Sequence, residues 1–350
     1  MKVHPLTIRM FPAREGDCLM ITHGDPAAPR RILVDGGRQA TYPALREYLA
    51  ALPAAQRDLD LLVVSHVDRD HIEGALTLLA DPACPVRFRD IWFNGYYHVA
   101  GGLLDFSTVQ GNRLIALLDG RAWNAAFAGG PIAVPDEGLD APVKLPGGLA
   151  ITVLSPSLAK LRALRSTWER ECSDAGLDPD VDPPDRVEPT SFAPDTRDIE
   201  ALAASKFADD DAPANGSSIA LLLAVDGRRI LLGADAHTDT LVEGLRRLGG
   251  GAPVKLDAYK VSHHGSAANT SRELLALIQC PRYLISTSGA QFRHPDPEAI
   301  ARILKFGGPA KTLFFNYRSP FTASWDDDDA RAEYGYSTVY GADGSLTVTL

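Results

Sequence analysis

The sequence is poor in cysteine and has no long apolar run. Its 350 residues include four cysteines, widely scattered and without a CxxC pair, which argues against a zinc ribbon or a disulfide framework. This cysteine usage favours a cytoplasmic location. No run approaches the roughly 18 apolar residues of a membrane span, so we expect no membrane segment. Residues 1–12 carry charge within their apolar part, which predicts a first strand and no signal peptide.

Positive charge is also scarce. The formal net charge is −10, which argues against broad, sequence-independent binding to a nucleic-acid backbone, because such binding needs a basic surface. A nucleotide or phosphodiester held locally by metal ions is compatible with this charge. Much of the acidity lies in residues 171–211 and 326–329, and such runs are typical of solvated loops.

The remaining composition is that of a globular protein, with 45% apolar and 23% charged residues. Strands and helices alternate along the chain, and we predict one α/β domain over residues 1–350. Residues 157–212 begin with an amphipathic helix and then gather proline, aspartate and glutamate. They are predicted to be an insertion that serves as a lid, a linker or a docking segment for a protein partner. Residues 311–350 are predicted to be a C-terminal extension that ends in a hairpin over 335–350.

The most informative stretch runs from Leu61 to His71. Its four apolar residues predict a strand buried on both faces, and His66, Asp68, Asp70 and His71 follow it directly. Side chains after such a strand lie at its C-terminal end, where ligands collect in layered α/β folds. Imidazole together with carboxylate suits divalent ions such as Zn²⁺, Mn²⁺ or Fe²⁺. The alternative is a solvated, charged turn, which does not need two histidines.

Three further strand ends carry residues able to bind a metal. Asn215 precedes an apolar strand, Asp235 ends another, and His263 and His264 end a third. This recurrence predicts one shared site at one edge of the sheets. A bridging ligand needs two oxygens, and Asp235, alone at a strand end, is the best candidate. Its alternative role is that of a helix N-cap. The spacing does not decide which histidine of the pair binds.

Two other histidines have a weaker context. His237 lies two residues after Asp235. It is either a residue that contacts the metal ligands without binding the metal or an ordinary surface residue. His294 is in a loop after a strand, where it is a general acid, an oxyanion ligand or an ordinary loop residue. A polar–aromatic cluster either lines a pocket or anchors an exposed loop. Its members are Asn94, Tyr96, Tyr97 and His98.

Together these motifs resemble the metallo-β-lactamase fold hydrolases. The stretch Ser65-His-Val-Asp-Arg-Asp-His71 looks like the hallmark HxHxDH pattern, with Asp68 where the second histidine is usual. The supporting motifs are Val34-Asp-Gly-Gly37, Gly233-Ala-Asp235 and Val261-Ser-His-His-Gly-Ser266. The Asp68 variant is similar to the hydrolase domain of the ComEC DNA-uptake proteins and their stand-alone relatives. That narrower likeness also uses Glu15-Gly-Asp17, Asn215-Gly-Ser-Ser218 and His294-Pro295. The resemblance covers residues 5–155 and 213–310.

The resemblance implies a four-layer αβ/βα sandwich with two divalent metal ions at one edge. By position, the implied ligands are His66 and Asp68 for the first ion, Asp70 and His71 for the second, Asp235 as the bridge, and His264 as the late ligand with His263 as the fallback. Zn²⁺ or Mn²⁺ is expected, with Mg²⁺ or Fe²⁺ as the alternatives. Many family members have another histidine where this chain has Asn215. The first site is therefore richer in oxygen, which shifts the preference from zinc toward manganese or magnesium.

These residues lead to three functional hypotheses. The leading one is a two-metal phosphodiesterase or nuclease, in which a metal-bound hydroxide attacks the phosphorus of a phosphodiester or nucleotide substrate. Asp70 would orient that hydroxide, and Lys260, His263 or His294 would stabilise the added negative charge. The second hypothesis is a lactonase or thioesterase on the same site. The third is a non-catalytic, metal-stabilised interaction module whose 157–212 insertion docks a partner.

Overall fold

Two large β-sheets, with helices on their outer faces, form the described part of the chain. The computed structural model describes residues 4–95, 98, 111–165, 168 and 198–350. Every helix among these residues is too short or too polar to cross a membrane.

Sixteen strands lie within the described residues. They are β1 Thr7–Met10, β2 Leu19–His23, β3 Arg30–Val34, β4 Asp58–Val63, β5 Arg87–Trp92, β6 Val143–Lys144, β7 Ala150–Ser155, β8 Ala220–Val225, β9 Arg228–Leu232, β10 Val254–Lys255, β11 Ala258–Lys260, β12 Ile278–Gln279, β13 Arg282–Ile285, β14 Lys311–Phe315, β15 Tyr336–Tyr340 and β16 Leu346–Thr349.

Eleven α-helices lie within the same residues. They are α1 Tyr42–Ala51, α2 Arg69–Ala80, α3 Gly111–Leu118, α4 Leu158–Arg165, α5 Ile199–Ala204, α6 Pro213–Gly216, α7 Thr238–Gly249, α8 Arg272–Ala276, α9 Pro297–Phe306, α10 Pro320–Ala323 and α11 Asp328–Tyr334. A short 3₁₀ turn at Ser262–Gly265 follows β11.

The first sheet has six strands in the order β16-β1-β2-β3-β4-β5. The predicted N-terminal meander is confirmed, because β1, β2 and β3 pair antiparallel in sequence order. Strands β3, β4 and β5 then run parallel. The second sheet has eight strands in the order β15-β14-β13-β11-β9-β8-β7-β6, and β9, β11 and β13 run parallel in it. The carboxyl ends of β9, β11 and β13 therefore meet at one edge of the second sheet.

Alternating side chains divide the core into layers. On β4, Leu62 packs toward the helices outside the first sheet, whereas Leu61 and Val63 pack into the space between the sheets. On β8, Leu222 packs toward the helices outside the second sheet, and Leu221 packs between the sheets. This period of two buries both faces of each strand. The order helix, sheet, sheet, helix confirms the predicted four-layer αβ/βα sandwich.

The predicted C-terminal hairpin over residues 335–350 is wrong. Strand β15 pairs in parallel with β14 in the second sheet, whereas β16 pairs antiparallel with β1 in the first. A turn does exist, with a single bridge between Ala342 and Ser345. Alternating apolar residues around a turn do not specify whether two strands pair with each other, and here each strand covers the edge of a different sheet.

Several predictions fall partly outside the described residues. The predicted helix at 157–171 is observed as α4, and the predicted helix at 108–118 is observed as α3. The parts of these two spans at 108–110, 166–167 and 169–171 lie outside the described residues. Tyr96 and Tyr97 of the polar–aromatic cluster lie outside it as well, and so do residues 172–197 of the insertion.

Candidate metal centre

The segment after β4 turns sharply into α2 and carries four of the predicted ligands. Asp68 is the N-cap residue of α2, and Asp70 lies in its first turn. His66 and His71 are buried, while the Asp68 side chain is 35% exposed and that of Asp70 is 13% exposed. One strand and one helix start therefore place two enclosed imidazoles and two more accessible carboxylates at the same edge.

The carboxylate of Asp235, at the end of β9, lies in the middle of four imidazoles. Its Oδ1 is 3.4 Å from Nε2 of His71. Its Oδ2 is 3.5 Å from Nε2 of His264, 3.7 Å from that of His263 and 3.9 Å from that of His66. The alternative role of Asp235 as a cap for α7 is not observed, because the N-cap residue of α7 is His237.

Two further carboxylates divide this centre into two halves. Asp68 Oδ2 is 3.5 Å from Nε2 of His66. Asp70 Oδ2 is 3.5 Å from Nε2 of His264 and 3.9 Å from Nε2 of His71. Asp235 is common to both halves, so the structure brings together the seven residues that the sequence selected as ligands.

Hydrogen bonds fix the orientation of the first two rings. His71 Nδ1 donates to Asp35 Oδ2 at 2.8 Å. The hydroxyl of Ser65 also donates to Asp35 Oδ2, at 2.8 Å, so Ser65 Oγ is left to accept from His66 Nδ1 at 3.0 Å. Nδ1 of each ring therefore carries a proton, and Nε2 is the ring nitrogen that faces Asp235.

The other two rings are held in the same way. His264 Nδ1 donates to the backbone oxygen of Ser286 at 2.9 Å. His263 Nδ1 lies 2.9 Å from Asn269 Oδ1 and 3.3 Å from Asp210 Oδ2, both of them acceptors. Nε2 of all four rings thus faces one carboxylate, that of Asp235.

These atoms fit a pair of divalent cations. Nε2 of His66 and Oδ1 of Asp235 are buried and have no hydrogen-bond partner among the described residues. Nε2 of His71 and Nε2 of His264 lie 3.2 Å apart, with the Nδ1 of each ring bonded to an acceptor. Two ring nitrogens this close share either a proton or a metal cation, so the pair marks a position where a cation fits. Nitrogen with several carboxylate oxygens suits zinc, iron or manganese.

The charges of these groups are strongly coupled. Burial by itself lowers the pKa of His263 and of His264, but Asp235 and neighbouring carboxylates outweigh it and raise both pKa values to about 9. Burial likewise raises the pKa of Asp235, yet the surrounding histidines hold it well below its usual value. The carboxylates are therefore ionised, and in the metal-free protein the positive charge that balances them comes from protons on the histidines.

Lys260 is not brought to the open side of the centre. The side chain is fully buried, and its Nζ forms an ion pair with Asp17 Oδ2 at 2.7 Å and donates to the Val261 backbone oxygen. Asp17 Oδ1 in turn lies 3.6 Å from Nδ1 of His264. Lys260 thus lies behind His264, in contrast to its predicted contact with substrate, because both faces of β11 are covered.

The remaining predicted residues lie around the centre. Nδ2 of Asn215 donates to Asp210 Oδ2 at 2.8 Å, and its Oδ1 is buried without a partner among the described residues. His237 has its Nε2 2.9 Å from the backbone oxygen of Ala212, so it does not face Asp235. The His294 ring lies 5.4 Å from that of His263, at the accessible side of the centre. His98 lies outside it, with its Nε2 bonded to the backbone oxygen of Gly129.

Sequence reasoning missed the residues that hold the imidazoles. Asp35 precedes Gly36 and Gly37, and this pair of glycines was the available signal. A Cβ at Gly36 would lie 2.0 Å from the backbone nitrogen of Ala75, so glycine is required for α2 to pack against the turn after β3. That packing places His71 over Asp35. Asp210 gave no signal, because it lies among the acidic residues of the insertion.

Comparisons with known proteins give a likeness of fold. No family model matches the chain, and no curated protein matches it. Among solved structures, a mutant of the CmlA β-hydroxylase is 12% identical with a TM-score of 0.40, and the match covers 100% of this chain and 54% of that one. The chain therefore spans about half the length of the CmlA chain.

Two other solved structures are similar over most of their own length. Zn²⁺-bound PqqB from Methylobacterium extorquens is 14% identical with a TM-score of 0.38, covering 95% of this chain and 87% of that one. The metallo-β-lactamase fold protein YhfI from Bacillus subtilis is 12% identical with a TM-score of 0.38, covering 99% and 100%. At these values the likeness carries no argument about activity. The assignment to the metallo-β-lactamase fold rests on the layers and the motif placement described above, and the ComEC-type resemblance stays a prediction.

Proposed function

We propose that this protein is a dinuclear-metal-dependent hydrolase that cleaves phosphodiesters. The observation that carries the proposal is the donor set around Asp235. Four imidazole nitrogens and the carboxylates of Asp68 and Asp70 surround a shared carboxylate, and Asp68 supplies oxygen where the second histidine is usual in the family the motifs resemble. An oxygen-rich set favours the harder ions that serve phosphoryl chemistry.

The two halves would hold one ion each. His66 and Asp68 serve the first, Asp70, His71 and His264 serve the second, and Asp235 serves both. Divalent ions in such a pair lower the pKa of water toward neutrality and offset the charge of a phosphoryl group. Asp35 and the Ser286 backbone oxygen accept hydrogen bonds from Nδ1 of His71 and of His264. These hydrogen bonds keep Nε2 of both rings directed at the centre.

The accessible side chains would act on the substrate itself. Asp70 is a partly accessible ligand of the second half, and it orients the attacking water. His263 is 24% exposed and His294 is 13% exposed, and both line the open side of the centre. They donate hydrogen bonds to the phosphoryl oxygens as negative charge builds up there. His264 is the ligand of the histidine pair, because it is buried and close to both Asp70 and Asp235.

The test is metal analysis followed by substrate comparison. Purified protein is loaded with Mn²⁺ or Zn²⁺ and assayed on methyl p-nitrophenyl phosphate, short single-stranded DNA and RNA, a lactone and a thioester. We expect turnover of the phosphodiesters, and we expect Asp235→Asn to lose it together with the bound metal. The matched control is Asp226→Asn, an exposed aspartate at the opposite end of β9. Full metal loading without phosphodiester cleavage would falsify the proposal, and cleavage confined to the lactone or thioester would replace it with an esterase.

A further inference from the structure

Three aromatic rings lead from the metal centre out to solvent. The first is His263, whose Nε2 is 3.7 Å from Asp235 Oδ2. The His294 ring follows at 5.4 Å from that of His263, and the Phe292 ring at 6.2 Å from that of His294. We call these three side chains the aromatic strip. Exposure is greatest at its outer end, 51% for Phe292 against 24% for His263 and 13% for His294.

Phe292 is a large apolar side chain that is exposed to solvent beside His294. Among the described residues, the large apolar side chains that are exposed are Phe292 and Val339. Val339 lies on β15, the edge strand of the second sheet. A single exposed apolar residue needs no explanation by itself. An exposed aromatic ring two ring contacts away from a metal centre differs, because it offers an apolar face to the planar group of a substrate held there.

The loop that carries Phe292 is held in place by hydrogen bonds at both ends. The Ser288 nitrogen donates to the Arg14 backbone oxygen at 2.7 Å, and the Arg293 nitrogen donates to that of Gly289 at 2.8 Å. The Asp296 nitrogen donates to the Gly265 oxygen at 3.0 Å, which ties the loop to the turn of His263 and His264. The position of Phe292 relative to the centre is therefore set by the fold.

We propose that Phe292 is a stacking surface for the nucleobase of the substrate. The inference rests on the proposed phosphodiesterase function and names the substrate class of the same site. In this arrangement the phosphodiester lies at the metal centre, the sugar lies beside His263 and His294, and the base lies against the phenyl face. Stacking on an aromatic ring tolerates every base. It also supplies binding that a chain with a net charge of −10 does not obtain from a basic surface.

The test compares two kinds of ester, with and without a base, that share one leaving group, in the metal-loaded protein. The 5′- and 3′-(p-nitrophenyl phosphate) esters of thymidine carry a base, and methyl p-nitrophenyl phosphate does not. We expect Phe292→Ala to lower kcat/KM for a thymidine ester by about 5- to 100-fold, the size of one base-stacking contact. The methyl ester should change by less than about 2-fold. Phe292→Trp should keep the preference, and Val339→Ala is the control for loss of an exposed apolar group.

A second readout does not depend on turnover. In Phe292→Trp, thymidine 5′-monophosphate should quench the added tryptophan fluorescence, beyond any change seen in the wild type. A short oligothymidylate in parallel distinguishes a free nucleotide from the end of a strand as the source of the base. Equal losses on the thymidine and methyl esters, or no loss on either, overturn the stacking role. Absence of turnover of both esters by wild type would instead count against the phosphodiesterase itself.

Discussion

Nε2 of His71 and Nε2 of His264 lie 3.2 Å apart, although the Nδ1 of each ring is already bonded to an acceptor. If both rings are neutral, two lone pairs face each other. If both are protonated, two N–H groups do so. With one ring protonated and the other neutral, the two nitrogens share a proton in the metal-free protein, and a metal ion bound by both takes the place of that proton. The short distance between the two nitrogens therefore marks a position where a cation fits.

Metal removal should destabilise the protein measurably. A ligand that binds only the folded state adds about 2.7 kcal/mol to the free energy of unfolding at 100 times its Kd. We expect a chelator to lower the Tm and Mn²⁺ or Zn²⁺ to restore it, followed by differential scanning fluorimetry. Asp235→Asn should abolish the shift, and Asp226→Asn should keep it. A Tm that ignores both chelator and metal in the wild type would contradict the assignment.

Asp35→Asn should weaken metal binding although Asp35 does not face the centre. Asp35 accepts hydrogen bonds from the Ser65 nitrogen, the Ser65 hydroxyl and His71 Nδ1, so the amide cannot satisfy all three donors. Loss of such a partner behind a metal-binding histidine costs about 10- to 100-fold in affinity. Competition titration with a metal indicator measures the change. Unaltered affinity in a folded Asp35→Asn variant would mean that His71 is oriented by other contacts.

Asp210→Asn should slow turnover and leave the metal in place. Asp210 Oδ2 accepts from Asn215 and Asn269 and lies 3.3 Å from His263 Nδ1, so it holds His263 at the open side of the centre. We expect kcat to fall by about 10-fold or more, the scale of a misplaced hydrogen-bonding catalytic group. Metal content by mass spectrometry should not change. Asp209→Asn, the exposed neighbour, is the matched control. Loss of metal in Asp210→Asn would show a ligand-supporting role instead.

The ligand cluster was predictable because its members are close in sequence or end buried strands. His66, Asp68, Asp70 and His71 follow one apolar run, and the parallel order of β9 and β11 brings Asp235 and His264 to the same edge. Apolar runs and polar strand ends are local features of a sequence. The α/β class followed from the alternation of strands and helices, whereas the four-layer sandwich was what the family resemblance implied.

Residues that act through tertiary contacts were not predictable in the same way. Asp35 and His71 are bonded only because α2 packs on the turn after β3. Lys260 is predicted at a strand end near the site, but the sequence does not show that Asp17, from the loop between β1 and β2, neutralises it there. The pairing of β15 and β16 with different sheets likewise depends on which edges remain uncovered, and no local pattern specifies that.

Lys260→Met should act on stability more than on substrate binding. The variant leaves the buried carboxylate of Asp17 without its partner, which costs about 3–5 kcal/mol for a buried ion pair. The double variant Asp17→Asn with Lys260→Met should recover much of this loss, because no buried charge is left unpaired. Urea unfolding in the presence of chelator measures both. A Lys260→Met protein of normal stability with a raised KM would instead restore the role in substrate binding that the sequence predicted.

His23 should make the stability of the metal-free protein dependent on pH. The side chain is 1% exposed, and neither ring nitrogen has a hydrogen-bond partner among the described residues. Burial, with Arg30 nearby, lowers its pKa from 6.5 to about 4. The unfolded chain therefore binds the proton first as the pH falls. His23 therefore does not lower the free energy of unfolding above pH 6.5. As the pH falls from 6.5 toward 4, His23 lowers it progressively, by up to about 3 kcal/mol.

His23→Phe removes the titrating group while it keeps a ring in the buried position at the end of β2. Its free energy of unfolding, measured by urea titration in chelator at pH 7, 5.5 and 4.5, should fall less steeply than that of the wild type. Other groups titrate in both proteins over this range, so the difference between the two slopes isolates His23. If the two proteins show the same pH dependence, the imidazole of His23 binds its proton over the same pH range in the folded as in the unfolded chain. That result requires water or a carboxylate to reach a ring that burial otherwise keeps neutral.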